Sequence, residues 1–136
     1  MAQVEGIGTD KRRLILLCDD ELILRKVARK MIIACGYDAE VFDTGRDLID
    51  YVEKKQGKEA SAVIIDLQMP DMDGVALFRY FRRTFPLLPV IISTGHVDEE
   101  SISSAKAVGV FYLLYKPYSI LELSRVLNLA LASTEH

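Results

Sequence analysis

The residues with chemistry in them stand at the ends of apolar runs. Asp19-Asp20 follows Leu14-Ile15-Leu16-Leu17-Cys18, Asp66 follows Val63-Ile64-Ile65, Thr94 follows Val90-Ile91-Ile92-Ser93, and Lys116 follows Phe111-Tyr112-Leu113-Leu114-Tyr115. One polar residue after an apolar run is ordinary loop entry. An acidic pair, a further acid, a hydroxyl and a cation at four such ends form a set. Carboxylates gathered in one place repel: a pair about 4 Å apart costs ~1 kcal/mol in water and ~4 kcal/mol at an effective dielectric of about 20. A bound cation relieves that repulsion, and hard oxygen ligands with space left for water suit Mg2+, with Mn2+ as a substitute. Acids make a poor direct cradle for phosphate, unlike a glycine-rich loop, so a phosphoryl group would arrive here with a metal. Asp66 is then the candidate nucleophile, with the metal offsetting developing charge. Lys116 offers a point charge to one phosphoryl oxygen, the Thr94 hydroxyl donates to another, and Gly95 leaves room for the donor.

These residues act together only if the fold brings the ends together. The apolar patterning predicts strands over residues 14–18, 37–42, 63–66, 90–93 and 111–115, alternating with five helices. Alternation of this kind implies an α/β fold: a parallel sheet with helices on both faces. A flavodoxin-like strand order, 2-1-3-4-5, places the switch point between the first and third strands, with Asp19-Asp20 on one side and Asp66 on the other. The first helix carries Ile23, Leu24, Val27, Ala28, Met31 and Ile32 at helical spacing, with Gly36 at C′. The second opens at Thr44 or Gly45, the third spans residues 74–84, and the fourth spans 98–108 with few large apolar residues to anchor it. Ser119-Ile120-Leu121-Glu122 reads as a capping box for the last helix, which runs to Ala132. Its core stripe is Ile120, Leu123, Leu127 and Leu131, leaving Leu121 and Leu129 off that face.

The bulk numbers fit one domain. A chain of 136 residues, half of them apolar, supports a single core, expected over residues 12–132 with 1–10 and 133–136 loose. A net charge of −3 gives no electrostatic footprint for nucleic acid, and the arginines at 12, 13, 79, 82 and 83 read as solvated faces. Cys18 and Cys35 have no metal spacing and are expected to be small buried hydrophobes. No apolar run reaches membrane-spanning length and no signal-peptide pattern is present, so a cytoplasmic location away from membranes is expected.

In combination, Asp19-Asp20, then Asp66 with Met69-Pro70-Asp71-Met72-Asp73-Gly74, then Thr94-Gly95, then Lys116-Pro117 resemble the receiver domain of two-component response regulators. The resemblance runs from about Leu14 to Ala132. It implies that Asp66 accepts a phosphoryl group from a phosphohistidine on a sensor histidine kinase or phosphotransfer protein. It further implies that Asp20, Asp66 and the Gln68 backbone carbonyl ligate Mg2+, with Asp19 acting mainly through water. Thr94 and Lys116 would hold phosphoryl oxygens, and the Lys116-Pro117 bond would be cis. Such a domain is a switch that turns over no external substrate. It signals to a downstream protein or output domain, without contacting nucleic acid itself, and can pair through helix 4, strand 5 and helix 5, where Leu121 and Leu129 would lie. Gln68 and His96 occupy positions that tune the phosphorylated state's lifetime. Leu113 departs from the family, which usually has an aromatic switch residue there; the coupling is expected to be weakened or rerouted through Tyr112 or Tyr115.

Two other classes share parts of the pattern. A Mg2+-dependent phosphohydrolase with an Asp nucleophile needs a DxD arrangement after the first strand, where this chain has Asp19-Asp20-Glu21-Leu22. A flavin or nucleotide binder of the same topology is disfavoured by the acidic loop at that position.

Overall fold

A computed structural model describes residues 12–55, 59–95, 99–107, 109 and 112–132. Ten elements alternate: β1 (Leu14–Cys18), α1 (Leu22–Ala34), β2 (Asp38–Phe42), α2 (Gly45–Lys55), β3 (Ala60–Asp66), α3 (Gly74–Thr84), β4 (Val90–Thr94), α4 (Glu99–Ala107), β5 (Tyr112–Tyr115) and α5 (Ile120–Ala132). The strands form one parallel sheet in the order β2-β1-β3-β4-β5. β3 begins three residues before its apolar run, because Ala60 pairs with Leu14 across a register irregularity between Leu14 and Ile15. Backbone pairing there overrides the weak strand preference of alanine and serine.

The inner strands are buried on both faces, so successive residues serve opposite layers. Leu16, Cys18, Val63, Ile65 and Ile92 join Leu48 and Val52 of α2 and Leu77, Phe78 and Phe81 of α3. Ile15, Leu17, Ala62, Ile64 and Ile91 join Ala28 and Ile32 of α1 and Leu123, Val126 and Leu127 of α5. Helix α4 contributes none of the buried core residues among those described, in line with its shortage of large apolar side chains. His96 and Phe111 lie outside the described residues.

Helix ends follow local chemistry. At the end of α1, Gly36 takes a φ of +100°, its N–H donates to the Ile33 carbonyl at 3.0 Å, and the Tyr37 N–H donates to the Ile32 carbonyl at 3.2 Å. That is a Schellman closure, and glycine supplies the left-handed residue. The expected capping box is present: the Glu122 N–H donates to Ser119 Oγ at 3.1 Å and the Ser119 N–H to Glu122 Oε1 at 3.2 Å.

Four apolar residues depart from expectation. Ile23 is 73% exposed and Val27 is 43% exposed, because the inward face of α1 is centred on Ala28 and Ile32 and both residues fall outside it. Ile120 is 41% exposed; it sits in the first turn of α5, and the helix meets the core from Leu123 onward. Cys35 is only half-buried, as the residue that caps α1, while Cys18 is sealed in the core. Leu121 and Leu129 are exposed, as expected from their off-face positions.

Burial pushes the Cys18 thiol up to about 12, with the nearby Asp71 carboxylate next in weight. A raised thiol contributes stability that is complete below its unfolded value of 9.0 and is lost as pH rises toward about 12. At mildly alkaline pH a disulfide reagent should therefore titrate Cys35 quickly, and Cys18 only at the rate of unfolding. Equal native rates for the two thiols would contradict a sealed Cys18. Gly74 gives a second check. A Cβ there would strike the Leu67 carbonyl oxygen and lie 2.6 Å from the Leu67 Cα, so Gly74→Ala should cost ~1–3 kcal/mol in urea unfolding.

Candidate functional site

Parallel register delivers the polar strand ends to one edge. Cys18 pairs with Ile65, so Asp19 and Asp66 leave adjacent strands side by side. Asp66 pairs with Ser93 and Thr94 with Tyr115. The Lys116 N–H then donates to the Thr94 carbonyl at 2.8 Å, which fixes where the lysine leaves β5. Asp19, Asp66 and Thr94 are buried, whereas Asp20 faces solvent.

The Lys116 Nζ lies 2.8 Å from Asp19 Oδ2 and 2.8 Å from Asp66 Oδ2, with its side chain only 10% exposed. Glu21 Oε1 is 3.8 Å away at the solvent rim. Each aspartate's other oxygen accepts from the backbone two residues on: the Glu21 N–H reaches Asp19 Oδ1 at 2.9 Å and the Gln68 N–H reaches Asp66 Oδ1 at 3.1 Å. These local turns aim both carboxylates at the ammonium. Burial pushes the Asp66 carboxyl above its usual range, against the opposing pull of Lys116 and the Gln68 N–H. For Lys116, burial pulls down, but the bonds to Asp19 and Asp66 outweigh it and the ammonium is held above its usual value.

Carboxylate oxygens of Asp19, Asp20 and Asp66 all lie within 4.8 Å of one another. Three carboxylates against the one ammonium between them leave two negative charges, the complement of one divalent cation. The donors are all hard oxygens, which fits Mg2+ and not a soft metal.

Asp19, Asp20, Asp66, Thr94, Gly95 and Lys116 thus meet at one edge, and the Lys116-Pro117 bond is cis. Space is kept at Gly95, where an added Cβ would meet only the Lys116 Cβ, at 4.0 Å. Gln68 is exposed beside Asp66. Leu113 does not reach this edge. It pairs with Ile92 in mid-strand and packs on the α2/α3 layer, while Tyr112 packs on the opposite layer. Tyr115, two residues on from Leu113, shares its face and is exposed.

Sequence reasoning missed two supports. The Arg25 guanidinium donates to the Asp19 carbonyl at 2.9 Å, from one turn into α1. Asp71 accepts from the Gly45 and Arg46 N–H groups at 3.0 and 3.1 Å. Neither contact has a sequence signal, since both depend on how a loop lies against a helix. Concavity would also have misled: a cavity of about 560 Å³ lies at the opposite sheet edge, lined by Arg13, Phe85 and Leu88 among others, and holds no comparable cluster.

The response regulator receiver domain family model matches residues 15–128. The DNA-binding transcriptional regulator NtrC of Klebsiella pneumoniae is 30% identical over 122 residues, covering 90% of this chain and 25% of that protein. NtrC of Escherichia coli is 32% identical over 110 residues, covering 81% of this chain and 23% of the relative. This chain therefore spans about a quarter of the length of the curated relatives it matches. Among solved structures, a response regulator receiver domain protein from Clostridium thermocellum superposes with a TM-score of 0.83 at 25% identity, covering 90% of this chain and 97% of the other. The receiver domain of nitrogen regulatory protein C gives 0.78 at 28% identity, covering 93% and 99%. Family model, relatives and fold agree, and the chain belongs to the response regulator receiver domain family.

Proposed function

We propose that Asp66 is the phosphoacceptor of this receiver, with Lys116 and Thr94 as its catalytic partners and Asp19, Asp20, Asp66 and the Gln68 carbonyl as the Mg2+ ligands. The observation that carries the reading is the buried ammonium of Lys116 shared by Asp19 and Asp66 at 2.8 Å each. A carboxylate oxygen of Asp66 attacks phosphorus, an O–P bond forms, and the P–N bond to a histidine imidazole breaks with its electron pair going to nitrogen. Lys116, already 2.8 Å from the acceptor carboxylate, is placed to follow the negative charge as it spreads onto the phosphoryl oxygens. Thr94, on the neighbouring strand, contributes a hydroxyl to the same face of the transferring group. Bound Mg2+ supplies charge neutralisation to a site that otherwise repels a phosphoryl group.

Receiver domains are switches, and the whole described chain reads as one such unit with no external substrate. A sensor histidine kinase or phosphotransfer protein is the proposed donor. The downstream partner is a protein target or an output domain, with the exposed Tyr115, Leu121 and Leu129 offering an α4/β5/α5 surface for it or for a second copy. Relatives are named as DNA-binding regulators over a length about four times that matched here; a net charge of −3 gives this receiver no electrostatic footprint for nucleic acid. Among the described residues no helix is long and apolar enough to cross a membrane, which suits a cytoplasmic signalling role.

Intact mass after incubation with Mg2+ and acetyl phosphate is the direct test. Wild type should gain one phosphoryl group, Asp66→Asn none, and chelator should abolish the gain. Lys116→Met should slow it about a hundredfold or more. Wild-type protein that stays unmodified with acetyl phosphate and with phosphohistidine donors would sink the assignment.

The raised Asp66 carboxyl sets a pH dependence. Without metal, its contribution to stability is present below the unfolded value of 3.8 and is lost as pH rises through its higher folded value. Mg2+ binds only the ionised form, so its stabilising effect should run the opposite way. Thermal melts should show a Mg2+-dependent rise in Tm at neutral pH that fades on acidification, beginning above the ordinary carboxylate range. A Mg2+ effect independent of pH would contradict ligation by Asp66.

A further inference from the structure

The loop joining β3 to α3, residues 67–73, is closed at its neck and clamped at its tip. At the neck, Gln68 and Asp73 form an isolated antiparallel bridge, and the Gly74 N–H donates to the Leu67 carbonyl at 3.2 Å. At the tip, Asp71 reaches away from its own loop to the start of α2. There the Gly45 N–H donates to Asp71 Oδ1 at 3.0 Å and the Arg46 N–H to Oδ2 at 3.1 Å.

The first turn of a helix leaves N–H groups without intrahelical partners. In α2 the first three are all accounted for, because the Asp47 N–H donates to Thr44 Oγ1 at 3.1 Å. One of these bonds is local, and the other two rest on a carboxylate from a distant loop. Charge agrees with geometry, since the positive end of the helix dipole faces an anion. A second contact locks the same junction. Met72 lies against the buried Gly45 so closely that a Cβ there would fall 2.7 Å from both its Cγ and Sδ. Both oxygens of Asp71 are thereby engaged by backbone, and Asp71 is not among the three acids that converge at the sheet edge.

At its neck this loop carries Gln68, whose N–H donates to the Asp66 carboxylate at 3.1 Å. We propose that Asp71 is a positioning residue for phosphorylation: by bracing the loop against α2 it fixes the Gln68 backbone that faces Asp66 and the metal. The inference rests on the reading of the site as a Mg2+-dependent phosphoacceptor. Asp71 itself touches neither the metal nor the transferring group. Its effect passes through the loop, as a supporting shell acts on the ligands it orients.

The test compares two caps of the same helix end. Asp71→Ala removes the brace, Asp71→Asn keeps one acceptor oxygen, and Thr44→Ala removes the local cap without touching the loop. Mg2+ affinity is read by calorimetric titration, stability by urea unfolding, and backbone placement by the 15N–1H signals of Gly45, Arg46 and Gln68. Asp71→Ala should weaken Mg2+ binding about tenfold, slow phosphorylation by acetyl phosphate, and move the Gln68 signal along with those of Gly45 and Arg46. Asp71→Asn should recover part of each loss. Thr44→Ala should lower the urea midpoint yet bind Mg2+ as wild type does. If Asp71→Ala and Asp71→Asn lose stability but keep wild-type Mg2+ affinity and an unshifted Gln68 signal, Asp71 is only a cap and the inference fails alone. If wild type binds no Mg2+, the reading of the site fails and takes the inference with it.

Discussion

An ammonium buried between two carboxylates governs this molecule. Lys116 at 10% side-chain exposure could not stay charged without partners, and Asp19 and Asp66 could not be buried beside each other without a cation. Each of the three makes the other two tolerable. Removing one member of a buried pair typically costs ~3–5 kcal/mol, because a charge is left stranded. The threefold arrangement softens that penalty: with Asp66 neutralised, the ammonium still has Asp19 at 2.8 Å. The constraint falls on the sheet as well, since three strands must end in register for the three groups to meet.

The division between what could be read in advance and what could not follows contact range. Strand cores announced themselves through runs such as Val63-Ile64-Ile65, and the α5 capping box through Ser119 and Glu122, because both signals lie within a few residues. Parallel alternation then fixed which ends share an edge, so Asp19, Asp66, Thr94 and Lys116 could be grouped before any distance was known. Apolar stripes were less reliable. Ile120 carries the right residue type at the right spacing, yet it precedes the part of α5 that meets the core, and Ile23 falls outside the inward face of α1. Periodicity identifies a face but not where along the helix the sheet begins. Asp71 and Arg25 escaped for a different reason: their partners are backbone atoms, and a backbone N–H or carbonyl has no residue type to recognise.

The aspartates illustrate how context sorts identical side chains. Asp19 and Asp66 bind an ammonium, Asp71 binds the start of α2, and Asp73 caps α3 by accepting from the Val75 N–H at 3.0 Å. Of these five, Asp20 faces solvent and has no such fixed donor among the described residues. Four of the five are already occupied by fixed donors, so the fifth is the carboxylate with least to give up on meeting a cation.

Burial of the inner strands on both faces also bears on accuracy. Ile64 belongs to one core layer and Ile65 to the other, so a slip of β3 by one residue would exchange the two sets of side chains and misfit both layers at once. Either layer alone would resist the error; together they leave no neighbouring register to fall into. Asp66 has no say in this. Its location is inherited from hydrocarbon packing beneath it, which makes the apolar interior the ruler by which the charged edge is measured.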